Sequence, residues 1–184
     1  MPLRQENKEM MTVPTTKNKI SPFTTSTLDV TWAHLHTPDT KFGEDSANHN
    51  ITVVVDKELQ DKLNECVAEL GATKINGMRE DTDGRLVLKA KSKMYIKDGI
   101  STFPCRDAQS KETAAVAFGG DKVRLRLSPA LLSRDSSLSL YLNGVQIIEK
   151  EERTDNGGFE PTDGFDGSGF IAPSIDDNDD DLPI

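Results

Sequence analysis

Residues 86–97 read LVLKAKSKMYIK, and this stretch decides the fold that we expect. Successive side chains of a β-strand point to opposite faces of the sheet, so an alternation of apolar and basic residues indicates a half-buried strand. The apolar face carries Leu86, Leu88, Ala90, Met94 and Ile96. The opposite face carries Lys89, Lys91, Lys93, Tyr95 and Lys97. We therefore expect one long strand with one face in a core and a basic outer face.

Residues 122–127 (KVRLRL) repeat this alternation. The inward residues would be Val123, Leu125 and Leu127. The outward residues would be Lys122, Arg124 and Arg126. Cations that are regularly spaced on a β face suit a phosphate backbone, because each contact releases condensed counterions. For one strand alone, a solvated sheet face is the better interpretation, but two such strands favour a nucleic-acid interface.

Other stretches predict further strands. Alternating or β-branched residues favour strands over 28–36 (LDVTWAHLH), 51–55 (ITVVV) and 113–118. Residues 138–150 predict either one last strand or a pair of strands, with a bulge or bend at Gly144. The chain thus contains about five to seven strands, which is typical of a compact β-barrel.

One helix is expected between the second and third strands. Asp56 is a typical N-cap and Gly71 a typical C-terminal stop. The apolar residues between them recur at helical spacing: Leu59, Leu63, Cys66, Val67 and Leu70. We expect an all-β fold, a five-stranded oligonucleotide-binding barrel (OB-fold) with one capping α-helix. The usual barrel of this type has its helix after the third strand, so this position is a departure.

The charge divides the chain into regions. Nine of the 31 acidic residues and none of the 22 basic residues lie in residues 154–184, so the other 22 acidic residues match the 22 basic ones. The net charge of −9 therefore comes from the C-terminal segment. We expect a flexible arm over residues 1–22 and a folded domain over 23–153. Residues 154–184 should form a disordered Gly/Asp-rich linker and acidic tail, because they are too polar to offset their ordering entropy.

Neither an enzyme nor a metal protein is indicated. His34 and His36 form an H-x-H pair, but with His49, Cys66 and Cys105 they do not give the spacing of a zinc site. The glycines of AFGGDK lack the Lys-Ser/Thr end of a phosphate loop. We expect no cofactor and no catalytic residue. Two cysteines, no signal peptide and no membrane-length apolar stretch indicate a soluble intracellular protein.

Aromatic side chains could add base stacking to a basic groove. Trp32 has the same parity as Leu28 and Val30, so core packing is at least as good an interpretation as stacking. Phe103 lies in a predicted turn and is the better candidate for an exposed ring, whereas the sequence leaves Phe42 undecided. The predicted nucleic-acid-binding residues are Lys89, Lys91, Lys93, Tyr95, Lys97, Phe103, Arg106, Lys122, Arg124, Arg126 and Trp32.

Over residues 26–150 the chain resembles the single-stranded DNA-binding proteins of short-tailed bacteriophages. The resemblance rests on the order of several local matches. They are the strand ending at Pro38-Asp39, Phe42-Gly43 in the following loop, residues 51–70, the basic strand 86–97, KVRLRLSP at 122–129 and LYLNGVQIIE at 140–149. Members of that family have aromatic residues shortly after the position of Pro129, where this chain has Ala130, Leu131 and Leu132.

The resemblance implies an OB-fold and sequence-independent binding of single-stranded DNA during phage DNA replication, recombination and repair. It also implies a homodimer in the cytoplasm of the infected bacterial cell, with the phage DNA polymerase and helicase-primase as partners. The rival class is an acidic-tailed protein-interaction module or chaperone without nucleic-acid binding.

The last nine residues combine clustered acid with an apolar tip. They include Asp176, Asp177, Asp179, Asp180, Asp181, Leu182, Pro183 and Ile184. An apolar side chain beside a free carboxylate can dock into a basic-rimmed pocket of a partner, and a plain solubility tail is the alternative. A further hypothesis is that this tail competes with DNA for the basic groove.

Overall fold

The computed structural model describes residues 18–152. In this part of the chain there are ten strands, one long helix, a four-residue helix and a short 3-10 turn at Glu44–Ser46. The strands are β1 (Phe23–Thr24), β2 (Leu28–Asp39), β3 (Asn48–Val54), β4 (Lys74–Ile75), β5 (Met78–Glu80), β6 (Leu86–Ser92), β7 (Cys105–Arg106), β8 (Glu112–Thr113), β9 (Lys122–Leu132) and β10 (Ser137–Glu149). The helices are α1 (Lys57–Leu70) and α2 (Met94–Lys97).

Five longer strands close into a barrel. Strand β2 pairs antiparallel with β3, β3 pairs antiparallel with β6, and β6 pairs parallel with β10. Strand β10 pairs antiparallel with β9, and β9 returns to β2 where Leu28 lies opposite Val123. Numbered along the chain, the order of these five strands is 1-2-3-5-4-1. The expected five-stranded OB barrel is therefore confirmed.

Helix α1 begins and ends where the sequence predicts. The Asp56 side chain accepts a hydrogen bond from the backbone N–H of Leu59 (2.7 Å), and Gly71 takes the left-handed conformation with φ of 65°. The helix buries Leu59, Leu63, Cys66 and Leu70 and packs against β4, β9 and β10. It lies between β3 and β6, so its expected position between the second and third barrel strands is confirmed.

The basic strand is shorter than expected. Strand β6 ends at Ser92, whose Oγ accepts the backbone N–H of Met94 (3.3 Å), and this local bond gives the backbone an alternative to the sheet. Residues 94–97 form α2 instead, and Met94 is exposed where the sequence placed it in the core. Tyr95 and Lys97 therefore do not continue the lysine face of β6. That part of the prediction is wrong.

A β-bulge reverses the orientation of Trp32. Val30 lies opposite Val53, but Trp32 lies opposite Thr52, so Thr31 is an extra residue in β2. One extra residue moves all following side chains to the other face. The Trp32 side chain is consequently 60% exposed, while Leu35 enters the core. The core interpretation of Trp32 is thus excluded.

Phe103 is a core residue and not an exposed ring. It is 0% exposed, and its backbone N–H donates to the Leu35 carbonyl (2.7 Å). Its ring packs edge-on against Tyr95, with centroids 4.6 Å apart, and against His49 at 5.8 Å. The segment that contains Phe103 thus contributes its ring to the core, which the sequence pattern of the segment itself does not encode.

The expected strand over residues 113–118 is mostly absent. Only Glu112–Thr113 pairs, as β8, with β7. Val116 and Ala117 are nevertheless buried, so their apolar character reflects core packing of a loop.

The other expectations for the barrel strands agree with the structure. In β9, Lys122, Arg124 and Arg126 are exposed, and the apolar residues between them are buried. Residues 137–149 form one strand, with a register shift between Leu142 and Gly144 that places the bulge as expected.

The N-terminal boundary of the barrel precedes residue 23. The backbone N–H of Ile20 donates to the Pro129 carbonyl (3.3 Å), and that of Leu131 donates to the Asn18 carbonyl (2.9 Å). Residues 18–20, assigned to the flexible arm from sequence, therefore pair with the end of β9. The expectations for residues 1–17 and 153–184 lie outside the described residues.

A buried carboxylate holds the end of β10. Asp121 is 0% exposed and accepts hydrogen bonds from Lys150 Nζ (2.8 Å) and from the backbone N–H groups of Phe118 and Glu151 (2.9 Å each). Burial raises the pKa of Asp121, but these hydrogen bonds outweigh it and leave that pKa below its usual value. The chain after β10 is thereby tied to the turn before β9.

No helix among residues 18–152 is long and apolar enough to cross a membrane.

Candidate nucleic-acid interface

Two rows of residues cross the outer side of the barrel wall, and Thr52 and Asn50 within them are buried beneath their neighbours. Neighbouring strands place these residues opposite one another, on the face away from Ile51 and Val53 of the core. The first row is Trp32, Thr52 and Lys89. The second row is His34, Asn50, Lys91, Tyr141 and Ser128. The lysines of β6 thus lie between aromatic side chains from β2 and β10.

The outer face of β6 borders a groove of about 420 Å³. It continues, through shared residues that include Lys91, into a depression of about 300 Å³. We call the two together the lysine groove. Its lining residues include Asp39, Phe42, Asn48, Asn76, Lys89, Lys91, Lys93, Ser133, Arg134, Ser139 and Tyr141. OB-folds bind oligonucleotides at this place, on the face of the second and third barrel strands. The loop between the first and second strands and the loop between the fourth and fifth strands border that face.

The cations of the lysine groove differ in their partners. Lys89 Nζ lies 3.5 Å from the Asp39 carboxylate, and Lys93 Nζ donates to the Asp45 carbonyl (3.3 Å). The side chains of Lys91 and Arg134 have no hydrogen bond or ion pair within residues 18–152. These two side chains can therefore meet an anion without breaking a side-chain contact within the described residues.

One carboxylate lies in the lysine groove. Asp39 accepts the backbone N–H of Lys41 (3.1 Å), and this bond, together with the charge of Lys89, holds the pKa of Asp39 below its usual value. Asn50 Nδ2 donates to the same carboxylate (3.2 Å). Asp39 is therefore ionised at neutral pH and offsets part of the charge of Lys89.

Exposed aromatic rings flank the lysines. Phe42, in the loop after β2, is 81% exposed, and Tyr141 on β10 is 41% exposed. Trp32 lies outside the groove lining but in the same row as Lys89, and its ring contacts His34 edge-on at 5.7 Å. Rings presented beside cations are the arrangement that single-strand binders use for base stacking.

Sequence reasoning missed Tyr141 and Arg134. The alternation of residues 138–142 carried the signal for Tyr141, since Leu138, Leu140 and Leu142 are buried and Tyr141 lies between them. Arg134 follows β9 in the loop before β10 and becomes part of the groove only through barrel closure. No local pattern marks it.

The arginines lie in a second groove of about 510 Å³, which we call the arginine groove. Its lining includes Thr24, Tyr95, Pro104, Cys105, Arg106, Ser110, Glu112, Arg124, Arg126, Asn143, Val145 and Gln146. Arg106 donates to the Ser110 carbonyl (2.8 Å) and lies 3.4 Å from Glu112, and Arg124 Nε donates to the Thr25 carbonyl (3.1 Å). Arg126 has no such partner in the described chain.

The candidate residues therefore do not form one basic face. Lys89, Lys91 and Lys93 line the lysine groove, whereas Tyr95, Arg106, Arg124 and Arg126 line the arginine groove. Lys97, Trp32, Phe103 and Lys122 line neither of them, and Lys122 forms an ion pair with Glu149.

The cysteine and histidine side chains do not form a reactive site. Residues 18–152 contain no group of three His, Cys, Asp or Glu residues that could hold a metal ion. Burial raises the pKa of the Cys105 thiol to about 11 and also raises the pKa of Cys66. Both thiols are thus protonated at neutral pH, and neither is an activated nucleophile.

The barrel is similar to solved structures, although no protein-family model and no curated protein sequence matches this chain. The gp2.5 single-stranded DNA-binding protein of bacteriophage T7 is 16% identical, with a TM-score of 0.53 over 77% of this chain and 99% of that one. This chain has the fold of phage single-stranded DNA-binding proteins.

The single-stranded DNA-binding protein of bacteriophage Enc34 shares this fold in two further structures. Its complex with single-stranded DNA is 16% identical, with a TM-score of 0.52 over 74% of this chain and 93% of that one. Its C-terminally truncated form is 15% identical, with a TM-score of 0.51 over 75% of this chain and 94% of that one. The resemblance noted in the sequence is thus confirmed at the level of the fold.

Proposed function

We propose that this chain binds single-stranded DNA without sequence preference, through the lysine groove, and that it is a binding protein and not an enzyme. The observation that carries the proposal is the position of exposed rings, and of cations without a side-chain partner among residues 18–152, at the binding face of an OB barrel. Lys91 and Arg134 would meet phosphates, and Phe42 and Tyr141 would stack on bases. The Enc34 protein of the same fold has been solved in complex with single-stranded DNA, which supports this assignment.

Phosphate contacts make the affinity depend on salt. For single strands, the slope of log K against log salt is about −0.7 for each phosphate contact. The proposed test is a fluorescence-anisotropy titration of a labelled oligonucleotide at several salt concentrations. The double variant Lys91→Glu/Lys93→Glu should weaken binding at least tenfold and flatten the slope. A salt-insensitive affinity, or equal affinity for duplex DNA, would contradict the proposal.

Lys57 provides the matched control. It is an exposed lysine at the start of α1 and lines neither groove. The variant Lys57→Glu changes the net charge by the same amount per site, so it measures the general effect of charge. Unchanged binding by the double variant would place the binding site elsewhere. So would a loss of affinity per substituted lysine that is as large for Lys57→Glu as for the double variant.

We further propose that the chain acts in phage DNA replication, recombination and repair, as a homodimer in the host cytoplasm. The acidic residues 176–184 would recruit the phage DNA polymerase and helicase-primase and compete with DNA. Their charge opposes that of the grooves, which supports such a competition. Deletion of these residues should then raise the affinity for DNA, and an unchanged affinity would remove the competition from the proposal.

A further inference from the structure

The arginine groove lies on the same strand as the lysine groove. Tyr141 of β10 borders the lysine groove, and Asn143, Val145 and Gln146 of β10 line the arginine groove. At about 3.3 Å per residue, Tyr141 and Gln146 are about 16 Å apart along the strand. Strand β10 therefore runs continuously along the floor of both grooves.

The groove offers guanidinium groups for an anion. Arg124 and Arg126 are two residues apart on the exposed face of β9, so their Cα atoms are about 6.6 Å apart. The Arg126 side chain has no hydrogen bond or ion pair among residues 18–152, and the only side-chain hydrogen bond of Arg124 in that range is made by Nε. Arginine side chains of this kind bind phosphate through two parallel N–H groups.

Most apolar side chains of the groove are covered. Cys105 and Val145 are buried, and Tyr95 is half-buried against Phe103. Pro104 is the exposed apolar residue of its lining. The one carboxylate of the lining, Glu112, is exposed and paired with Arg106. The lining thus offers a ligand guanidinium groups and no fully exposed aromatic ring.

We propose that the arginine groove is a second subsite for the phosphodiester backbone of the same DNA strand, which follows β10 out of the lysine groove. The inference rests on the proposed function and extends it. The lysine groove contacts phosphates and bases, whereas the arginine groove contacts phosphates alone. A strand must therefore exceed a minimum length before it reaches Arg126.

The test compares two oligonucleotide lengths. OB-folds cover about 4 to 16 nucleotides, so we choose labelled oligonucleotides at these two ends of the range. The variants are Arg126→Ala, Arg126→Lys, which keeps the charge, and the control Lys57→Ala. Anisotropy titrations at several salt concentrations give the slope of log K against log salt for each pair of protein and oligonucleotide. Thermal melting of each variant confirms that the barrel is intact.

With the long oligonucleotide, Arg126→Ala should reduce the magnitude of the slope by about 0.7, the value for one phosphate contact. Arg126→Lys should keep most of the magnitude of the slope, and Lys57→Ala should leave the slope unchanged. With the short oligonucleotide, Arg126→Ala should bind like the unmodified chain. An unchanged slope with the long oligonucleotide would overturn the proposal, and so would an equal loss with both lengths.

A ligand of another class is tested in the same experiment. If the arginine groove instead holds the acidic residues 176–184, the effect of Arg126→Ala should vanish in a chain that lacks them, and this would also overturn the proposal. Failure of the proposed function has a different signature, since Lys91→Glu/Lys93→Glu would then leave the binding of both oligonucleotides unchanged.

Discussion

Replacing Tyr141 by alanine should weaken single-stranded DNA binding without changing its salt dependence. The ring projects from the middle of β10, opposite Lys91 on one side and Ser128 on the other. Stacking on an aromatic side chain contributes about 1–3 kcal/mol per base. Tyr141 is 41% exposed, so only part of the residue is accessible to a base.

The lower part of that range therefore applies, about 1–2 kcal/mol. At 1.4 kcal/mol for each factor of ten, this corresponds to a loss of about 5- to 30-fold in affinity. The slope of log K against log salt should stay the same, since no phosphate contact is removed. The assay is fluorescence anisotropy with one labelled oligonucleotide over a series of salt concentrations.

Tyr141→Phe is the matched control, because it keeps the ring and removes the hydroxyl. It should bind within about twofold of the unmodified chain, if stacking and not hydrogen bonding is the contribution of Tyr141. A Tyr141→Ala variant that melts normally and binds as tightly as Tyr141→Phe would refute the stacking role. So would a reduced salt slope, because the loss would then be electrostatic.

Three other perturbations test the charges, the buried carboxylate and the helix. Lys91→Ala should reduce the magnitude of the salt slope by about 0.7. Lys89→Ala should reduce it by less, because Asp39 already offsets the charge of Lys89. Equal effects of the two variants in the same anisotropy titrations would contradict this expectation. The lowered pKa of Asp121 stabilises the fold above the usual carboxyl pKa of 3.8, and this stabilisation is lost as the pH falls through the lowered value. At neutral pH, Asp121→Asn should be less stable than the unmodified chain. Between pH 7 and pH 2, its melting temperature should therefore fall less steeply at the acid end than that of the unmodified chain. Leu63→Ala should cost about 2–5 kcal/mol in urea denaturation, because Leu63 lies on the buried face of α1 and is fully buried. A loss below about 1 kcal/mol would mean that the helix packs loosely.

The elements that sequence predicts well carry their own signals. Helix α1 has its N-cap, its apolar spacing and its terminal glycine within sixteen consecutive residues. Strand β9 alternates without interruption from Lys122 to Leu127, so its two faces follow from parity alone. In both, local preference and tertiary packing agree.

The errors arise where one residue or one distant contact changes the geometry. An extra residue at Thr31 turns Trp32 outward, and a hydrogen bond from Met94 to Ser92 ends β6. Burial of Phe103 depends on Leu35, which is 68 residues away in the chain. The residue types in these segments are those expected of an uninterrupted strand or an exposed turn. The sequence pattern therefore does not reveal the bulge at Thr31, the end of β6 or the burial of Phe103.

Only part of the candidate site could be predicted from the sequence, because the rest depends on contacts between distant residues. The lysines of β6 are visible as an alternation, and their chemistry follows from their charge. Their separation from the arginines is not visible, because it depends on how five strands are arranged around the barrel. Arg134 joins the lysines only across that arrangement.

Strand β10 pairs with β4, β6, β7 and β9, and it forms the floor of both grooves. It is also the last strand in the described chain, so a polypeptide emerging from the ribosome has neither groove until about residue 149 is free. Its pairings with β4 and β6 join residues far apart in sequence, which slows folding. Both grooves are therefore completed in one late step. A chain truncated before β10 would be a non-binder and not a weaker binder.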